Sequence, residues 1–418
     1  MTIKTKTHKT VRATVIIGAG FGDEGKGLLT DRTAARFGAD CIVARFNGGA
    51  QAGHTVVLPD GRRHIHSHFG SGTPAGAATF LSKYFVSNPL LFWREKTALE
   101  NQGFPPPTVF ADQRGLVSTP YDMLINQFIE KARGGSRHGS CGIGFGETIE
   151  RCLRSRYTTR VADLNDAGKM ASVLDDIRQN WVPERLAGLG IETISGELMD
   201  LLRSDQLKND FIASAERFYR EIRPARPEIL RSRKGVILEG AQGLLLDQDG
   251  GWFPHVTRSN TGLCNAIGLA EEAGLESLDV IYATRAYATR HGAGPLPHEL
   301  AAAPYDGIKD PTNIPNPFQG SLRFGWLDLD LLKKTINADL RRYARRTPIK
   351  IGRQLAVTCL DQLDQKAFFV SHNKLRHSSP EGLAFAAGRA TGIKNVLVSR
   401  GPTRQTVSKL KTKAVRYA

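Results

Sequence analysis

The sequence lacks the marks of a membrane or secreted protein. Its 418 residues contain no run of about 18 consecutive apolar residues, which is the length that a membrane-spanning helix requires. The first residues are mostly polar or basic and no apolar segment follows them, so no secretory signal is expected. We therefore expect a soluble protein of the cytoplasm that does not bind membranes.

Cysteine is also scarce. The chain has five cysteines, none of them in a C-x-x-C pair: Cys41, Cys141, Cys152, Cys264 and Cys359. An odd number of widely spaced cysteines argues against a disulfide scaffold and against a zinc ribbon, and it fits a reducing compartment.

Acidic residues are missing at both ends of the chain. The net charge is +16, from 57 Lys and Arg against 41 Asp and Glu, and most of the excess lies in 1–12 and 394–418, which contain no acid. No zinc-finger spacing or aromatic RNA-binding motif accompanies the charge, so nucleic acid is not expected to be the main partner. We interpret 1–12 and 407–418 as basic tails on either side of one α/β domain at 13–406.

Internal repeats and low-complexity linkers are absent, and short apolar runs instead alternate with amphipathic stretches. The apolar runs lie at 13–17, 41–46, 235–238, 280–283 and 351–359, and the amphipathic stretches include 119–132 and 170–181. This alternation predicts an α/β fold with a mostly parallel central sheet, helices on both faces of the sheet and long loop insertions.

The most informative segment that is present follows the first apolar run. A glycine-rich turn at 18–27 leads into a predicted helix at 28–37. Backbone N–H groups at the N-terminus of such a helix bind phosphate. The turn therefore predicts a P-loop-like phosphate site, although an ordinary glycine turn with a surface Asp and Lys is the alternative.

The glycine turn departs from the usual P-loop in one informative way. Gly20, Gly25 and Lys26 match most of the pattern, but Gly27 replaces the Ser or Thr that normally holds magnesium. The loop carries Asp23 instead. Its carboxylate would repel bound phosphate unless it held a cation or exchanged a proton with a substrate.

Two further glycine loops follow apolar runs. One, at 45–55, ends at His54, and the other, at 238–247, contains Gln242 between two glycines. Glycines at strand ends let the backbone approach a ligand closely. We interpret His54 as catalytic, although an isolated His is more often structural. Gln242 either reads a polar ligand edge or is a solvent-facing turn residue.

Taken together, these segments resemble the adenylosuccinate synthetase family over about residues 14–406. Gly-Asp-Glu-Gly-Lys-Gly at 22–27 is highly specific to that family, and Arg-Ala-Tyr-Ala-Thr-Arg-His-Gly-Ala-Gly-Pro at 285–295, Gly-Trp-Leu-Asp at 325–328 and Ser-Arg-Gly-Pro at 399–402 extend the likeness. The resemblance implies a ligase that joins L-aspartate to C6 of a purine nucleoside monophosphate through a 6-phosphoryl intermediate. It also implies hydrolysis of GTP or ATP, a requirement for Mg²⁺, and a homodimer.

The resemblance assigns roles to single residues. Asp23 would be the general base that removes the purine N1 proton, His54 the acid or hydrogen-bond donor on the transferring phosphoryl group, and Lys26 the cation that neutralises charge there. Mg²⁺ would be held by Asp23, the backbone carbonyl of Gly53 and phosphate oxygens.

Other implied contacts concern the bound substrates. The acceptor nucleotide would be contacted at its base by Gln51 and Gln242, at its 5′-phosphate by Ser140 and Thr257, and across a homodimer interface by Arg156. The nucleoside triphosphate would lie against Gly22, Glu24, Gly25, Gly27, Asp361, Ser399 and Gly401. Arg323 would bind aspartate.

Two departures from the family pattern concern aspartate and the phosphate donor. The family has several arginines just before Gly-Trp-Leu-Asp, where this chain has Arg323 alone, so the second carboxylate of aspartate needs another partner, such as Arg290 or backbone N–H groups. The family's Thr-Lys-Leu-Asp reads Thr-Cys-Leu-Asp at 358–361. Asp361 is kept but the lysine is lost, which leaves ATP open beside GTP.

A third departure lies in the base-facing loop, where Ala50 and Gln51 stand in place of the family's His and Asn. The segment 66–89 also differs, and a reshaped pocket would admit a purine with a 2-amino group. A related branch of the family uses dGMP on the route to diaminopurine nucleotides but replaces the catalytic Asp with Ser, whereas this chain keeps Asp23. We favour GMP or dGMP as the acceptor, giving 2-aminoadenylosuccinate, with IMP and adenylosuccinate as the alternative.

Overall fold

The computed structural model of the chain describes residues 12–104, 107–134, 139–191, 196–310, 313 and 320–411. The predicted basic tails lie outside these ranges apart from Arg12 and residues 407–411. Within the described ranges, no helix is long and apolar enough to cross a membrane.

A large sheet runs through the described part of the chain. In chain order the strands are β1 Arg12–Gly18, β2 Cys41–Arg45, β3 His54–Val57, β4 Arg63–His66, β5 Ala78–Leu81, β6 Val109–Ala111, β7 Arg223–Pro224, β8 Gly235–Glu239, β9 Ser277–Arg285, β10 Ala288–Arg290, β11 Glu299–Leu300, β12 Arg323–Gly325, β13 Leu327–Asp328, β14 Lys350–Thr358, β15 Ala367–Ser371, β16 Lys374–Ser378, β17 Val396–Ser399 and β18 Val407–Lys409. Ten of them form one sheet in the order β18-β17-β14-β9-β1-β8-β2-β5-β6-β7. Every adjacent pair is parallel except β17 with β18, which confirms the predicted mostly parallel sheet.

Helices connect the strands. They are α1 Lys26–Ala34, α2 Pro89–Asn101, α3 Pro120–Ala132, α4 Phe145–Cys152, α5 Ala167–Asp176, α6 Val182–Ala187, α7 Gly196–Arg203, α8 Asp205–Glu221, α9 Leu263–Ala273, α10 Leu329–Tyr343 and α11 Pro380–Thr391. The amphipathic stretch at 119–132 forms α3, because Thr119 and Asp122 make reciprocal side-chain-to-backbone hydrogen bonds at its N-terminus.

The central strand β1 contacts apolar side chains on both of its faces. Val15 and Ile17 belong to a buried cluster that includes Leu269 of α9 and residues of α10 and α11. Ile16 points the other way, into a cluster with Leu29 of α1. Successive strand residues face opposite sides, so an unbroken apolar run predicts a strand covered by helices on both faces. The structure confirms that arrangement.

The sheet brings the three glycine loops together. β1 lies between β8 and β9, and β2 lies on the other side of β8. Because these strands are parallel, their carboxyl ends meet at one edge. The loops that carry Asp23, His54 and Gln242 leave from that edge, which is where ligands bind in open α/β sheets.

Two segments differ from their predicted extents. The first helix begins at Lys26, two residues before the predicted start, because Gly25 takes a left-handed φ of +83° at its N-cap; the helix ends at Ala34, three residues before the predicted end. At the other end of the chain, Val407–Lys409 pair antiparallel with β17, so the first residues of the segment assigned to the basic tail form an edge strand of the sheet.

Candidate active site

The loop between β1 and α1 is organised by a buried carboxylate. Glu24 is 2% exposed, and its Oε1 accepts hydrogen bonds from the backbone N–H groups of Gly20 at 3.1 Å and Gly22 at 2.8 Å. Its Oε2 lies 2.5 Å from Nζ of Lys26. A buried carboxylate whose oxygens are all satisfied in this way fixes the course of the loop.

Asp23 is presented from this loop in a constrained conformation. Its φ is +63°, between Gly22 at +108° and Gly25 at +83°. A left-handed conformation costs a non-glycine residue about 1–3 kcal/mol and persists where the surroundings enforce it, often at functional sites. Here the enforcing contact includes Arg285, whose Nε donates to the backbone carbonyl of Asp23 at 2.5 Å.

The Asp23 carboxylate pairs with a histidine from a different part of the chain. His291 Nε2 lies 3.0 Å from Asp23 Oδ2 and 2.9 Å from Asn313 Oδ1. Both neighbours accept hydrogen bonds, so Nε2 of His291 carries a hydrogen. Burial lowers the pKa of His291, but its contacts with Asp23 and Asn313 more than reverse that effect and raise it.

The same contacts keep Asp23 ionised. Burial raises the pKa of Asp23, but the hydrogen bond from His291 and the charges of Arg285 and Lys26 outweigh burial and lower the pKa to about 2. Asp23 is therefore a carboxylate throughout the neutral pH range. That is the form that both a proton acceptor and a cation ligand require.

His54 begins β3 and is oriented by a second buried carboxylate. Its Nδ1 lies 2.7 Å from Oε1 of Glu239, which is fully buried at the end of β8. An ionised carboxylate only accepts hydrogen bonds, so Nδ1 carries the hydrogen and Nε2 is left for a ligand. Glu239 Oε2 accepts the backbone N–H of Ser71 at 3.0 Å and lies 4.0 Å from Nη1 of Arg45.

The charge on this histidine–glutamate pair depends on its neighbours. Burial raises the pKa of Glu239, but the charges of His54 and Arg45 and the hydrogen bonds from His54 and Ser71 lower it to about 2. Burial also lowers the pKa of His54, and Glu239 offsets this only in part. The lowered pKa of His54 favours the neutral imidazole, with its hydrogen on Nδ1.

Many of the predicted site residues line one cavity of about 250 Å³. These residues are Gly22, Asp23, Gly25, Lys26, Gly27, Gln51, Gly53, His54 and Gln242. Glu24 lies behind the loop and does not line this cavity, so its contribution is to the shape of the loop.

Two glutamine side chains in the cavity wall carry unpaired amide atoms. Among the described residues, Oε1 and Nε2 of Gln51 and Oε1 of Gln242 are buried without a hydrogen-bond partner. Gly48 separates the two side chains, and a Cβ at Gly48 would lie 3.4 Å from Gln242 Oε1 and 3.5 Å from Gln51 Nε2. Leaving such a group unpaired costs about 1–3 kcal/mol. Both side chains therefore have hydrogen-bonding capacity that the described part of the chain does not use.

Ser140 and Thr257 do not line the cavity themselves, but each adjoins a residue that does. Ser140 precedes Cys141, which lines the cavity, and its Oγ accepts a hydrogen bond from Asn126 Nδ2 at 2.9 Å. The backbone N–H of Thr257 donates to the carbonyl of Leu246, another lining residue, at 2.8 Å.

Three predicted contacts of the nucleoside triphosphate lie farther along the same sheet edge. Asp361 follows β14, and Ser399 ends β17, where its Oγ donates to the carbonyl of Gly401 at 2.7 Å. Because β14 and β17 are parallel to β1, these residues share its carboxyl edge. They do not line the 250 Å³ cavity.

The two predicted arginines are engaged elsewhere. Arg156 is exposed and pairs with Asp176 of its own chain, with Nε 2.6 Å from Oδ2. Arg323 uses Nε and Nη2 on the carboxylate of Glu299, at 2.7 and 2.5 Å, and Nη1 on the carbonyls of Gly292 and Gly294. Binding aspartate through Arg323 therefore requires Glu299 to be displaced.

Arg290, the other candidate for the second carboxylate of aspartate, is also occupied. Its guanidinium donates to the backbone carbonyls of Ala293, Pro295 and His255 at 2.9–3.1 Å, and it lies 4.6 Å from the ring centroid of Phe21. The side chain is 2% exposed. Arg290 consequently stabilises the loop that follows β10.

The cavity offers a fitting set of oxygen ligands for Mg²⁺. The carboxylate of Asp23 and the backbone of Gly53 both line it, and Mg²⁺ prefers one or two protein oxygens together with substrate phosphates. The low pKa of Asp23 keeps that ligand charged.

Sequence reasoning assigned no role to the residues that orient Asp23 and His54. His291 and Arg285 lie in the motif at 285–295, and Glu239 lies in the segment at 238–247 that also contains Gln242. Glu239 and Arg285 each end a strand next to β1, and His291 directly follows β10. Glu239 could have been identified from the sequence, because a carboxylate directly after an apolar run is expected to be buried and therefore to need a hydrogen-bond partner.

Comparison with known proteins agrees with this geometry. The adenylosuccinate synthetase family model matches residues 15–366. Adenylosuccinate synthetase from Clostridium perfringens is 33% identical over 332 residues, which cover 77% of this chain and 74% of that protein. The enzyme of Clostridium botulinum strain Eklund 17B is 30% identical over 338 residues, with the same coverage.

Solved structures show the same fold. Fully ligated adenylosuccinate synthetase from Plasmodium falciparum superposes with a TM-score of 0.71 at 19% identity, over 96% of this chain and 100% of that one. Cyanophage S-2L succinoaminodeoxyadenylate synthetase, solved with dGMP and dATP, gives a TM-score of 0.61 at 16% identity over 97% of each chain. The chain thus belongs to the adenylosuccinate synthetase family, whose members are ligases that form C–N bonds.

Proposed function

We propose that the protein joins L-aspartate to C6 of a purine nucleoside monophosphate, with GMP or dGMP as the acceptor and GTP or ATP as the phosphate donor. The observation that carries this proposal is the convergence of Asp23, His54 and two unpaired amides on one cavity. The family membership of the chain supports the reaction type.

The first step activates the purine. Asp23 takes the N1 proton, and the electron pair moves to O6, which attacks the γ-phosphorus of the triphosphate while the diphosphate leaves. Lys26 and the N–H donor of His54 offset the charge on the transferring phosphoryl group. Negative charge beside Nε2 raises the pKa of His54, so the imidazole can take a second proton from solvent at Nε2 and donate it to a phosphoryl oxygen.

The second step forms the C–N bond. The amino group of aspartate attacks C6, and the 6-phosphoryl group leaves as inorganic phosphate. Bound Mg²⁺ would supply charge neutralisation between the phosphates, with Asp23 and the carbonyl of Gly53 as its protein ligands. Arg323 would hold one carboxylate of aspartate after releasing Glu299.

The preference for a guanine acceptor rests on the cavity wall. Gln51 extends one methylene farther than the family's Asn, and its two amide atoms are unpaired. Together with Gln242 it can accept from and donate to the polar edge of a purine, including a 2-amino group. IMP is the second candidate, because the chain keeps Asp23 and its curated relatives are adenylosuccinate synthetases.

We also propose a cytoplasmic homodimer in which Arg156 reaches the partner's acceptor nucleotide. Arg156 lies at the surface, and solvent screens an exposed ion pair such as the one it makes with Asp176, so the pair contributes little to stability. The guanidinium can therefore exchange Asp176 for a phosphate at little cost.

The decisive experiment is a phosphate-release assay with aspartate, the acceptors IMP, GMP and dGMP, and the donors GTP, ATP and dATP. Asp23→Asn serves as the matched inactive control. Aspartate-dependent turnover with GMP or dGMP supports the proposal, and mass spectrometry of the product identifies the succinyl adduct. Turnover with IMP alone contradicts the proposal that the acceptor is GMP or dGMP, but it supports the proposed ligase reaction. Absence of turnover with all nine pairs, by a folded protein, rejects the proposed reaction.

A further inference from the structure

The hairpin that carries His54 also carries two buried histidines on its second strand. β3 and β4 pair antiparallel with His54 opposite His66 and Val56 opposite His64. His64 and His66 are two residues apart on β4, so their side chains lie on the same face of the strand. Their rings contact each other edge to face, with centroids 4.6 Å apart.

A carboxylate from α2 completes this cluster. Glu95 Oε1 lies 3.7 Å from His64 Nε2 and 3.9 Å from His66 Nδ1. All three side chains are buried, with exposures of 5% for His64, 0% for His66 and 6% for Glu95. One ligand atom from each residue lies within 4.8 Å of the others.

The two imidazoles have hydrogen-bonding capacity that the described chain does not use. Among the described residues, Nε2 of His64 and both ring nitrogens of His66 are buried without a hydrogen-bond partner. Such atoms are uncommon in folded proteins, and an absent ion or water is a standard explanation. Leaving these atoms unpaired is unfavourable, because burial removes their hydrogen bonds to water without replacing them.

We propose that His64, His66 and Glu95 bind one divalent transition-metal ion, with Zn²⁺ as the preferred occupant. Two imidazoles and one carboxylate form a donor set typical of zinc, whereas Mg²⁺ and Ca²⁺ prefer oxygen ligands. Zinc–ligand bonds of about 2.0–2.2 Å place tetrahedral ligands about 3.4 Å apart. The three side chains must therefore draw together by roughly 1 Å, which small χ rotations supply.

The surroundings of Glu95 hold its carboxylate in place. It accepts hydrogen bonds from the backbone N–H of Ser67 at 2.9 Å, from Ser67 Oγ at 2.5 Å and from the backbone N–H of His68 at 2.7 Å. Metal-binding carboxylates are oriented by outer donors of this kind.

The surroundings of His64 also fit a metal ligand. Its Nδ1 lies 3.5 Å from Nε2 of Gln102, and Oε1 of the same amide is buried without a partner. Asn and Gln amide orientations are assigned from the hydrogen-bond network. A 180° flip of the Gln102 amide exchanges its oxygen and nitrogen, so that Oε1 accepts a hydrogen bond from Nδ1–H of His64. The lone pair on Nε2 of His64 is then free to bind the metal.

His68 lies beside the cluster but outside the ligand set. Its Nε2 accepts the backbone N–H of Asn88 at 3.0 Å, so its hydrogen is on Nδ1, which faces Glu95. A water molecule is the remaining candidate for the fourth ligand. A metal ion bound here would link the β3–β4 hairpin, which also carries His54, to α2.

Metal analysis of the untagged full-length protein tests the proposal. After chelator treatment and dialysis against buffered Zn²⁺ with excess Mg²⁺, we expect one tightly bound zinc per chain and a higher thermal midpoint than that of the metal-free protein. Co²⁺ in place of zinc should give the strong visible absorption of a four-coordinate site. His66→Asn and Glu95→Gln should lose the bound metal, and Gln102→Ala should weaken binding by about 10–100-fold.

Two controls separate this site from other sources of binding. His372→Asn removes an exposed histidine and should keep the zinc, as should Asp23→Asn, which changes the candidate active site. A wild-type protein that retains no zinc and shows no Co²⁺ spectrum overturns the proposal. Equal zinc binding by wild type and a folded His66→Asn variant also overturns it. If His66→Asn fails to fold, the wild-type stoichiometry and Co²⁺ spectrum decide.

Discussion

Nδ1 of His54 lies 2.7 Å from Oε1 of Glu239, and this contact joins the start of β3 to the end of β8. Glu239 is fully buried and also accepts the backbone N–H of Ser71. The carboxylate therefore selects the tautomer of His54 and directs Nε2 towards the cavity. The arrangement has the same logic as the Asp–His pair of a serine protease triad.

The first prediction concerns this contact. Glu239→Gln keeps the size of the side chain but removes the negative charge beside Nδ1 that stabilises the doubly protonated form of His54. We expect kcat to fall by about 10²-fold or more, with a smaller change in KM for the triphosphate. Steady-state kinetics measure the effect, and an unchanged circular dichroism spectrum shows that the variant folds. A variant with near wild-type kcat would remove Glu239 from the mechanism.

The second prediction concerns the proposed general base. Asp23→Asn removes the ionised carboxylate that His291 contacts at 3.0 Å. We expect turnover to be lost, because the amide has no basicity to take the N1 proton, while the acceptor nucleotide still binds. Isothermal titration with the acceptor separates the two effects. Retained turnover contradicts the assignment of Asp23 as the base.

The third prediction concerns aspartate. Glu299 occupies two nitrogens of Arg323, so Glu299→Gln should free the guanidinium and lower KM for aspartate without raising KM for either nucleotide. Arg323→Gln is the matched variant and should raise KM for aspartate. If both variants leave this KM unchanged, aspartate binds elsewhere.

The fourth prediction concerns stability and pH. Asp31 of α1 is fully buried, neither of its carboxylate oxygens has a hydrogen-bond partner among the described residues, and Nη1 of Arg404 lies 3.4 Å from Oδ1. Burial raises the pKa of Asp31 from 3.8 to about 6, although Arg404 opposes the shift. The folded protein thus binds this proton more tightly than the unfolded chain does. The bound proton stabilises the folded protein fully at pH values below the pKa that Asp31 has in the unfolded chain. This stabilisation is lost as the pH rises through the pKa that Asp31 has in the folded protein.

Asp31→Asn should remove this pH dependence. The free energy of unfolding of the variant, relative to wild type, should increase by about 1–2 kcal/mol between about pH 5 and about pH 8. Urea unfolding at the two pH values measures the difference, with Asp60→Asn as an exposed control. If the free energy of unfolding depends on pH in the same way in wild type and in Asp31→Asn, the pKa of Asp31 is not raised.

Much of the fold was predictable because its strands are buried on both faces. The runs at 235–238 and 280–283 are apolar without alternation, which is the pattern of parallel strands between helices, and they form parts of β8 and β9, the neighbours of β1. The end of α1 was less predictable, because Ala34 and the residues up to Phe37 have similar helix propensity and tertiary contacts decide where the helix stops. Val407–Lys409 looked like a charged tail because an edge strand of three residues carries little periodicity.

The sequence by itself identified candidate residues that the structure places around one cavity. Asp23, Lys26, His54 and Gln242 stand in glycine loops after apolar runs, and parallel strands bring such loops to one edge of a sheet. Tertiary structure alone decided which groups act on them. His291 approaches Asp23 from 268 positions away in the chain, Glu239 reaches His54 across 185 positions, and Glu299 occupies Arg323. Distances, tautomers and pKa values depend on those neighbours, because electrostatic interactions act through space and fade with distance rather than with separation along the chain.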